Sequence, residues 1–169
     1  MLSPVIPLLA LVSLFLPSAL GMAASANWNR AVLPVAGLAI ELQSQPTSCG
    51  PALVATLASW QGRRVSEATV LGQADVGAAG ISLAEFARLA SLHGLDGAWY
   101  HMERSRLGSL PLPFVAHLAE AEGGHYVAVM ALRDSVMVVV DPAVGALVGP
   151  ADALLRRFSG RVFVLDGQS

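Results

Sequence analysis

The sequence predicts an α+β fold, with N-terminal helices packed on a C-terminal antiparallel sheet, and two contrasting textures along the chain predict it. Between Cys49 and Gly94 apolar residues recur at helical spacing, and each run is bracketed by residues that start or stop helices. From Gly97 onward, β-branched and aromatic runs alternate with turn residues instead. Helices first and strands afterwards is the segregated order of an α+β domain, not the alternation of βαβ units.

The front of the chain is different again. Met1 to Ala26 carries no charged side chain, an apolar stretch runs from Val5 to Leu20, and Ala24-Ser25-Ala26 supplies an A-x-A pattern of small residues. Residues 1–26 therefore read as a secretory signal peptide, cleaved after Ala26. No Lys or Arg precedes the apolar stretch, and Pro4, Pro7 and Pro17 interrupt it. A membrane anchor is the lesser reading, because a spanning helix wants roughly 20 consecutive apolar residues and tolerates prolines poorly. Removal of the signal leaves 143 residues, enough for one core. Residues 27–42 then form an N-terminal arm and residues 43–169 the domain, expected outside the cytoplasm as a monomer that does not span the membrane.

Part of the 54% hydrophobic content is thereby accounted for. The 10 basic and 12 acidic residues all follow Ala26 and form no basic block, which argues against nucleic acid as a partner. A single cysteine excludes a disulfide within the chain, and a lone thiol outside the cytoplasm calls for a role.

The first helix is expected from Cys49, with Leu53, Val54, Leu57 and Trp60 at helical spacing, Pro51 in the first turn and Gly62 at the far end. A shorter one begins at Ser66 and carries Val70 and Leu71 towards a Gly77 to Gly80 loop. In the third, Ser82 and Glu85 form an S-x-x-E capping box, Leu83, Phe86, Ala87 and Ala90 make one face, and Gly94 ends it. Strands are expected over Gly97 to Met102, Phe114 to Leu118, His125 to Leu132, Val136 to Asp141 and Arg161 to Leu165, with a short helix over Ala151 to Phe158.

Cys49 at a helix start meets the unpaired N–H groups and positive end of the dipole, which favour thiolate over thiol. On its own that is weak, since cysteine often merely packs. A nucleophilic thiol also needs a base, an orienter for the base and an oxyanion donor. Gln43, six residues before the cysteine, places an amide within reach, and Gln45 is its rival, restricted by the proline after it. Among the four histidines, His93 sits at a helix end, His101 and His117 lie within strands, and His125 opens a strand after Gly123-Gly124. Asp141 closes the next strand after five apolar residues, where a carboxylate needs a partner, a rim position or a turn.

Strand geometry constrains that last pairing. His125 and Asp141 share a face only if the register between their strands has the right parity. A three-residue loop at Arg133-Asp134-Ser135 would pair Leu132 with Val136, set Val127 opposite Asp141 and leave His125 as its diagonal neighbour, about 7–8 Å away. A two-residue loop with no bulge would put the two side chains on opposite faces.

Glutamine six before Cys-Gly, then His-Tyr-Val, then Val-Asp-Pro, from about Gln43 to Val164, resembles the bacteriocin-processing double-glycine peptidases, which are papain-like cysteine peptidases. The resemblance implies the papain-like fold and a cysteine peptidase, with Cys49 as nucleophile, His125 as base, Asp141 as orienting acid and Gln43 as oxyanion donor. Family members commonly front a peptide-exporting transporter and cut leader peptides after two glycines. This sequence carries no nucleotide-binding signature and its front end resembles an export signal, so it reads as a stand-alone exported member. The chemistry transfers better than the substrate, a peptide or protein that is glycine-rich only by resemblance. A catalytically silent peptide-binding domain and a cell-wall amidase or peptidase are the other readings. No cofactor or metal is expected, because neither C-x-x-C nor H-E-x-x-H spacing occurs.

Overall fold

In a computed structural model, the described residues are 28–31, 39–120 and 123–167. The expected signal segment, residues 1–26, and residues 32–38 of the expected arm lie outside them. The elements run in the order β1 (Asn29–Arg30), α1 (Cys49–Trp60), α2 (Glu67–Leu71), α3 (Leu83–Leu92), β2 (Gly97–His101), β3 (Phe114–Glu120), β4 (Gly123–Arg133), β5 (Val136–Asp141), β6 (Gly145–Pro150), α4 (Ala151–Leu155) and β7 (Phe158–Leu165), with a 3-10 segment at Arg104–Ser109. The strands form one antiparallel sheet in the order β1-β6-β5-β4-β3-β7-β2. This is the α+β arrangement expected from the sequence.

Two apolar cores lie on the sheet. In one, α1, α2 and α3 contribute Leu53, Val54, Leu57, Val70, Phe86 and Leu89, which meet Val115, Tyr126, Ala128, Val140 and Phe163. In the other, Trp28, Leu107 and α4 meet Phe114, Ala116, Leu118, Val127, Val129, Met137, Val139 and Leu147. The alternation along β4, with Tyr126 and Ala128 in one cluster and Val127 and Val129 in the other, is the period-two pattern of a strand buried on both sides. Phe86 anchors the helical side, with Trp99, Tyr126 and Phe163 ring centroids 5.4, 5.1 and 5.3 Å away.

Helix α1 is buried along its whole length from Cys49 to Ser59. That includes Thr56 and Ser59, whose hydroxyls need partners. Thr56 Oγ1 donates to the Ala52 carbonyl at 3.0 Å, and the chain before the helix adds donors: the Ala39 N–H donates to Ser59 Oγ at 2.7 Å and the Glu41 N–H to Thr56 Oγ1 at 3.0 Å. Residues 39–41 are thus laced antiparallel along α1, and Ile40 packs against the helical core.

Several expected details are corrected. Ser82 caps α3 through Glu85 N–H at 3.1 Å, but the Glu85 carboxylate does not close a capping box; it turns to Arg88 and the Asp75 N–H. Strand β6 was not expected, because Gly145, Gly149 and Pro150 disguise it. Its Val148 and Leu147 pair with Asn29 and Arg30, so part of the arm joins the sheet.

Of the two loop lengths weighed from the sequence, the β4–β5 hairpin has the two-residue turn. Arg133 pairs with Val136, Leu132 with Met137 and Ala131 with Val138, around Asp134-Ser135 with Asp134 at φ 53°. That register alone would set His125 and Asp141 on opposite faces. The register shifts at Met130, so that Val129 pairs with Val139 and Ala128 with Val140. One extra residue in β4 is a β-bulge, and it reverses the parity. Continued one step, the shifted register brings Val127 opposite Asp141, with His125 as the diagonal neighbour.

Thr56→Val should leave the Glu41 N–H without its acceptor inside a well-packed segment and cost about 1–3 kcal/mol. Urea denaturation checks this; a variant as stable as the parent would show that the lacing is incidental.

Candidate active site

Ser48, fully buried, is the N-cap of α1, yet its hydroxyl does not cap the helix. It donates to the Gln45 carbonyl at 3.1 Å and accepts from the Gln45 N–H at 3.3 Å. Pro51 has no N–H, and no acidic side chain occupies the first turn. The helix start therefore presents the N–H groups of Cys49 and Gly50 with neither a capping oxygen nor an anion against them, the condition for stabilising negative charge there.

Cys49 is 4% exposed and His125 7%, while Asp141 is sealed from water. Asp141 Oδ1 accepts from His125 Nε2 at 2.8 Å and from the Ala143 N–H at 2.9 Å. The second bond is an Asx-type turn that holds the carboxylate in the Asp141–Gly145 turn. With Nε2 committed to the carboxylate, the other ring nitrogen is left for sulfur, and Cys49 is among the groups that favour a proton on the His125 ring. The structure thus brings His125 and Asp141 together, and Cys49 acts on the same imidazole.

Burial alone would push the His125 imidazole down, but the hydrogen bond and charge of Asp141 and the interaction with Cys49 overcome it and raise it to about 10. Burial, with the Cys49 charge, also raises the Tyr126 phenol, whose hydroxyl donates to the Ile81 carbonyl at 2.9 Å. That bond fastens the stretch after the Gly77–Gly80 bridge to β4.

Gln43 lies beside the same turn: its N–H donates to the Pro142 carbonyl at 2.9 Å. Its side-chain amide is bonded within its own loop. Nε2 donates to the Gln45 carbonyl at 3.1 Å and, at the long edge of a hydrogen bond, to the Pro46 carbonyl at 3.4 Å. Oε1 is one of two buried side-chain polar atoms without a partner among the described residues.

The remaining histidines have other partners. His93 bonds Gln73 Oε1 at 2.9 Å, and His101 lies over Gly160. His117, which bonds Ser159 Oγ at 2.8 Å, is pushed down chiefly by burial, then by the charges of His125 and Arg161. Its ring occupies the space a Cβ on Gly124 would need, so the glycine next to His125 is required by packing. Among the described residues no group of three or more His, Cys, Asp or Glu side chains is placed to hold a metal ion.

Known proteins resemble this chain in sequence and in fold. The sequence model of the peptidase C39 family matches residues 38–169. An uncharacterized protein of Methanothermobacter thermautotrophicus is 28% identical over 127 residues, 75% of this chain and 87% of that protein. One from Methanothermobacter marburgensis is 29% identical over 124 residues, 73% of this chain and 85% of its own length. Among solved structures, a double glycine motif protease from an AMS/PCAT transporter in complex with its leader peptide superposes with a TM-score of 0.68 at 22% identity, covering 81% of this chain and 93% of that one. The peptidase domain of Streptococcus ComA, a bi-functional ABC transporter, gives 0.69 at 19% identity, covering 76% and 97%. These likenesses establish the papain-like fold.

Because His125 is raised on folding, the stability it contributes is fully present below about 6.5 and is lost as pH climbs towards about 10. Asp141→Asn removes the charge and should flatten that decline. Urea midpoints between pH 6 and 10 provide the check, and an equally steep decline in the variant would contradict the assignment.

Proposed function

The chain belongs to the peptidase C39 family of double-glycine-type cysteine peptidases, and from that premise we propose that it is catalytically active, with Cys49 as nucleophile, His125 as base and acid, Asp141 as orienting acid and Gln43 as oxyanion donor. The observation that carries the reading is the buried Asp141–His125 hydrogen bond at 2.8 Å, on an imidazole whose proton is also favoured by the thiol at the start of α1. A purely structural thiol has no use for an imidazole held in one orientation by a sealed carboxylate.

Cys49 Sγ attacks the scissile carbonyl carbon; the carbon–sulfur bond forms as the carbonyl π pair moves to oxygen. The Cys49 N–H and a Gln43 N–H turned from the 3.4 Å Pro46 contact meet that oxygen. His125 passes its proton to the departing nitrogen, and the carbon–nitrogen bond breaks to leave a thioester. Water, deprotonated by His125, then displaces the sulfur and releases the new carboxylate. Asp141 stabilises the imidazolium throughout.

The solved double glycine motif protease in complex with the leader peptide supports a peptide substrate with small residues at the cut. The apolar stretch of residues 5–20 supports a peptidase acting on exported peptides.

The test uses fluorogenic peptides with Gly-Gly, Ala-Gly or Gly-Ala before the scissile amide. Cys49→Ala should abolish cleavage, and Gln43→Ala should lower it roughly 10²–10³-fold while leaving it measurable. Peptides bound but left intact by the parent protein would favour the silent binding domain, and release of fragments from purified peptidoglycan alone would favour the cell-wall reading.

A further inference from the structure

One buried carboxylate has no part in the chemistry above. Glu67 opens α2 and is 5% exposed, a rare setting for glutamate unless it is paired. Its Oε1 accepts twice from one residue, from the Ser44 N–H at 3.2 Å and the Ser44 hydroxyl at 2.9 Å. The Glu67 N–H in turn donates to Glu41 Oε2 at 3.0 Å. A short segment before the catalytic helix is therefore held to α2 at residues 41 and 44, on both sides of Gln43.

The opposite side of that segment is held too, by the Gln43 N–H on the Pro142 carbonyl. Glu67 and the Asp141–Gly145 turn thus clamp the backbone at neighbouring residues. The Gln43 side chain adds nothing comparable, since it bonds only carbonyls of its own loop and leaves Oε1 without a partner. Where its amide can reach is decided by where its Cα is held.

We propose that Glu67 is a positioning residue for the oxyanion donor: by binding Ser44 it fixes the backbone from which the Gln43 amide reaches the developing negative oxygen. The inference rests on the role proposed for Gln43. The requirement is for an acceptor oxygen that satisfies one backbone and one hydroxyl donor, not for a charge. Glutamine offers the same Oε1, whereas alanine leaves the Ser44 N–H unanswered beside a cavity.

The test compares Glu67→Ala, Glu67→Gln, Gln43→Ala and the Gln43→Ala/Glu67→Ala double variant on a fluorogenic Gly-Gly amide, with iodoacetamide alkylation of Cys49 as a reaction that forms no oxyanion. Glu67→Ala should lower kcat about 10- to 100-fold, part of the roughly 10²–10³ that an oxyanion donor supplies, with little change in KM or alkylation rate. Glu67→Gln should restore most of the loss, and in the Gln43→Ala background Glu67→Ala should cost nothing more, because both act on one interaction.

Losses that add in the double variant, a glutamine no better than alanine, or alkylation falling in parallel would each overturn the proposal. If Glu67→Ala does not fold, Ser44→Ala replaces it. That change removes the hydroxyl donor at an exposed position and should show a smaller loss with the same non-additivity. Full activity in Gln43→Ala would instead refute the oxyanion assignment itself; a crippled Gln43→Ala with additive Glu67→Ala refutes only the role of Glu67.

Discussion

Where β4 and β5 pair, an imidazole and a carboxylate lie against each other with almost no access to water, and neither could be there without the other. An isolated buried carboxylate would be costly, and so would an imidazolium. Joined at 2.8 Å, with the Ala143 N–H on the same carboxylate oxygen, they form a unit that the surrounding core can enclose. The enclosure then works in the other direction, because a sealed Asp141 leaves His125 one orientation and one ring nitrogen for the thiol. The extra residue at Met130 is the condition for all of this, since it sets the parity that allows the two side chains to meet.

The other half of the site depends on α1. Its burial from Cys49 to Ser59 fixes the sulfur at its first residue as firmly as any core atom. Ser48, turned away from capping, leaves the positive end of the helix directed at Cys49. The chain that precedes the helix is laid along it by Ser59 and Thr56, then held by Glu67 and Pro142 at the point where Gln43 occurs. Helix, arm and hairpin turn are thus bound to one another through the groups that flank the chemistry.

Much of this was legible in the sequence, and the parts that were not share a cause. Helix α1 and its cysteine were read from the spacing of Leu53, Val54, Leu57 and Trp60, because helical periodicity is local. Asp141 was marked out by the five apolar residues before it. Its pairing with His125 was foreseen only as a condition on register, and a different device meets that condition: a two-residue turn followed by a bulge at Met130, a residue whose type gives no sign of it. Strand β6 escaped notice because its glycines and proline oppose strand propensity, and pairing with β5 on one side and β1 on the other outweighs them. Glu85 satisfied a capping pattern, yet Arg88 and Asp75 compete for its carboxylate. The clamp on Ser44 joins residues 23 apart through a glutamate that no local pattern distinguishes. Periodicity and punctuation report what neighbours in sequence do; register, bulges and long-range polar contacts are settled between segments.

Direct observation of the His125 ring by nitrogen-15 NMR tests the central claim that the buried carboxylate holds a proton on this imidazole while the thiol lies on its other side. The account predicts that the ring stays protonated well above the ordinary value of about 6.5, and that it loses this property in Asp141→Ala. A ring that titrates near the ordinary value whether or not Asp141 is present would contradict it.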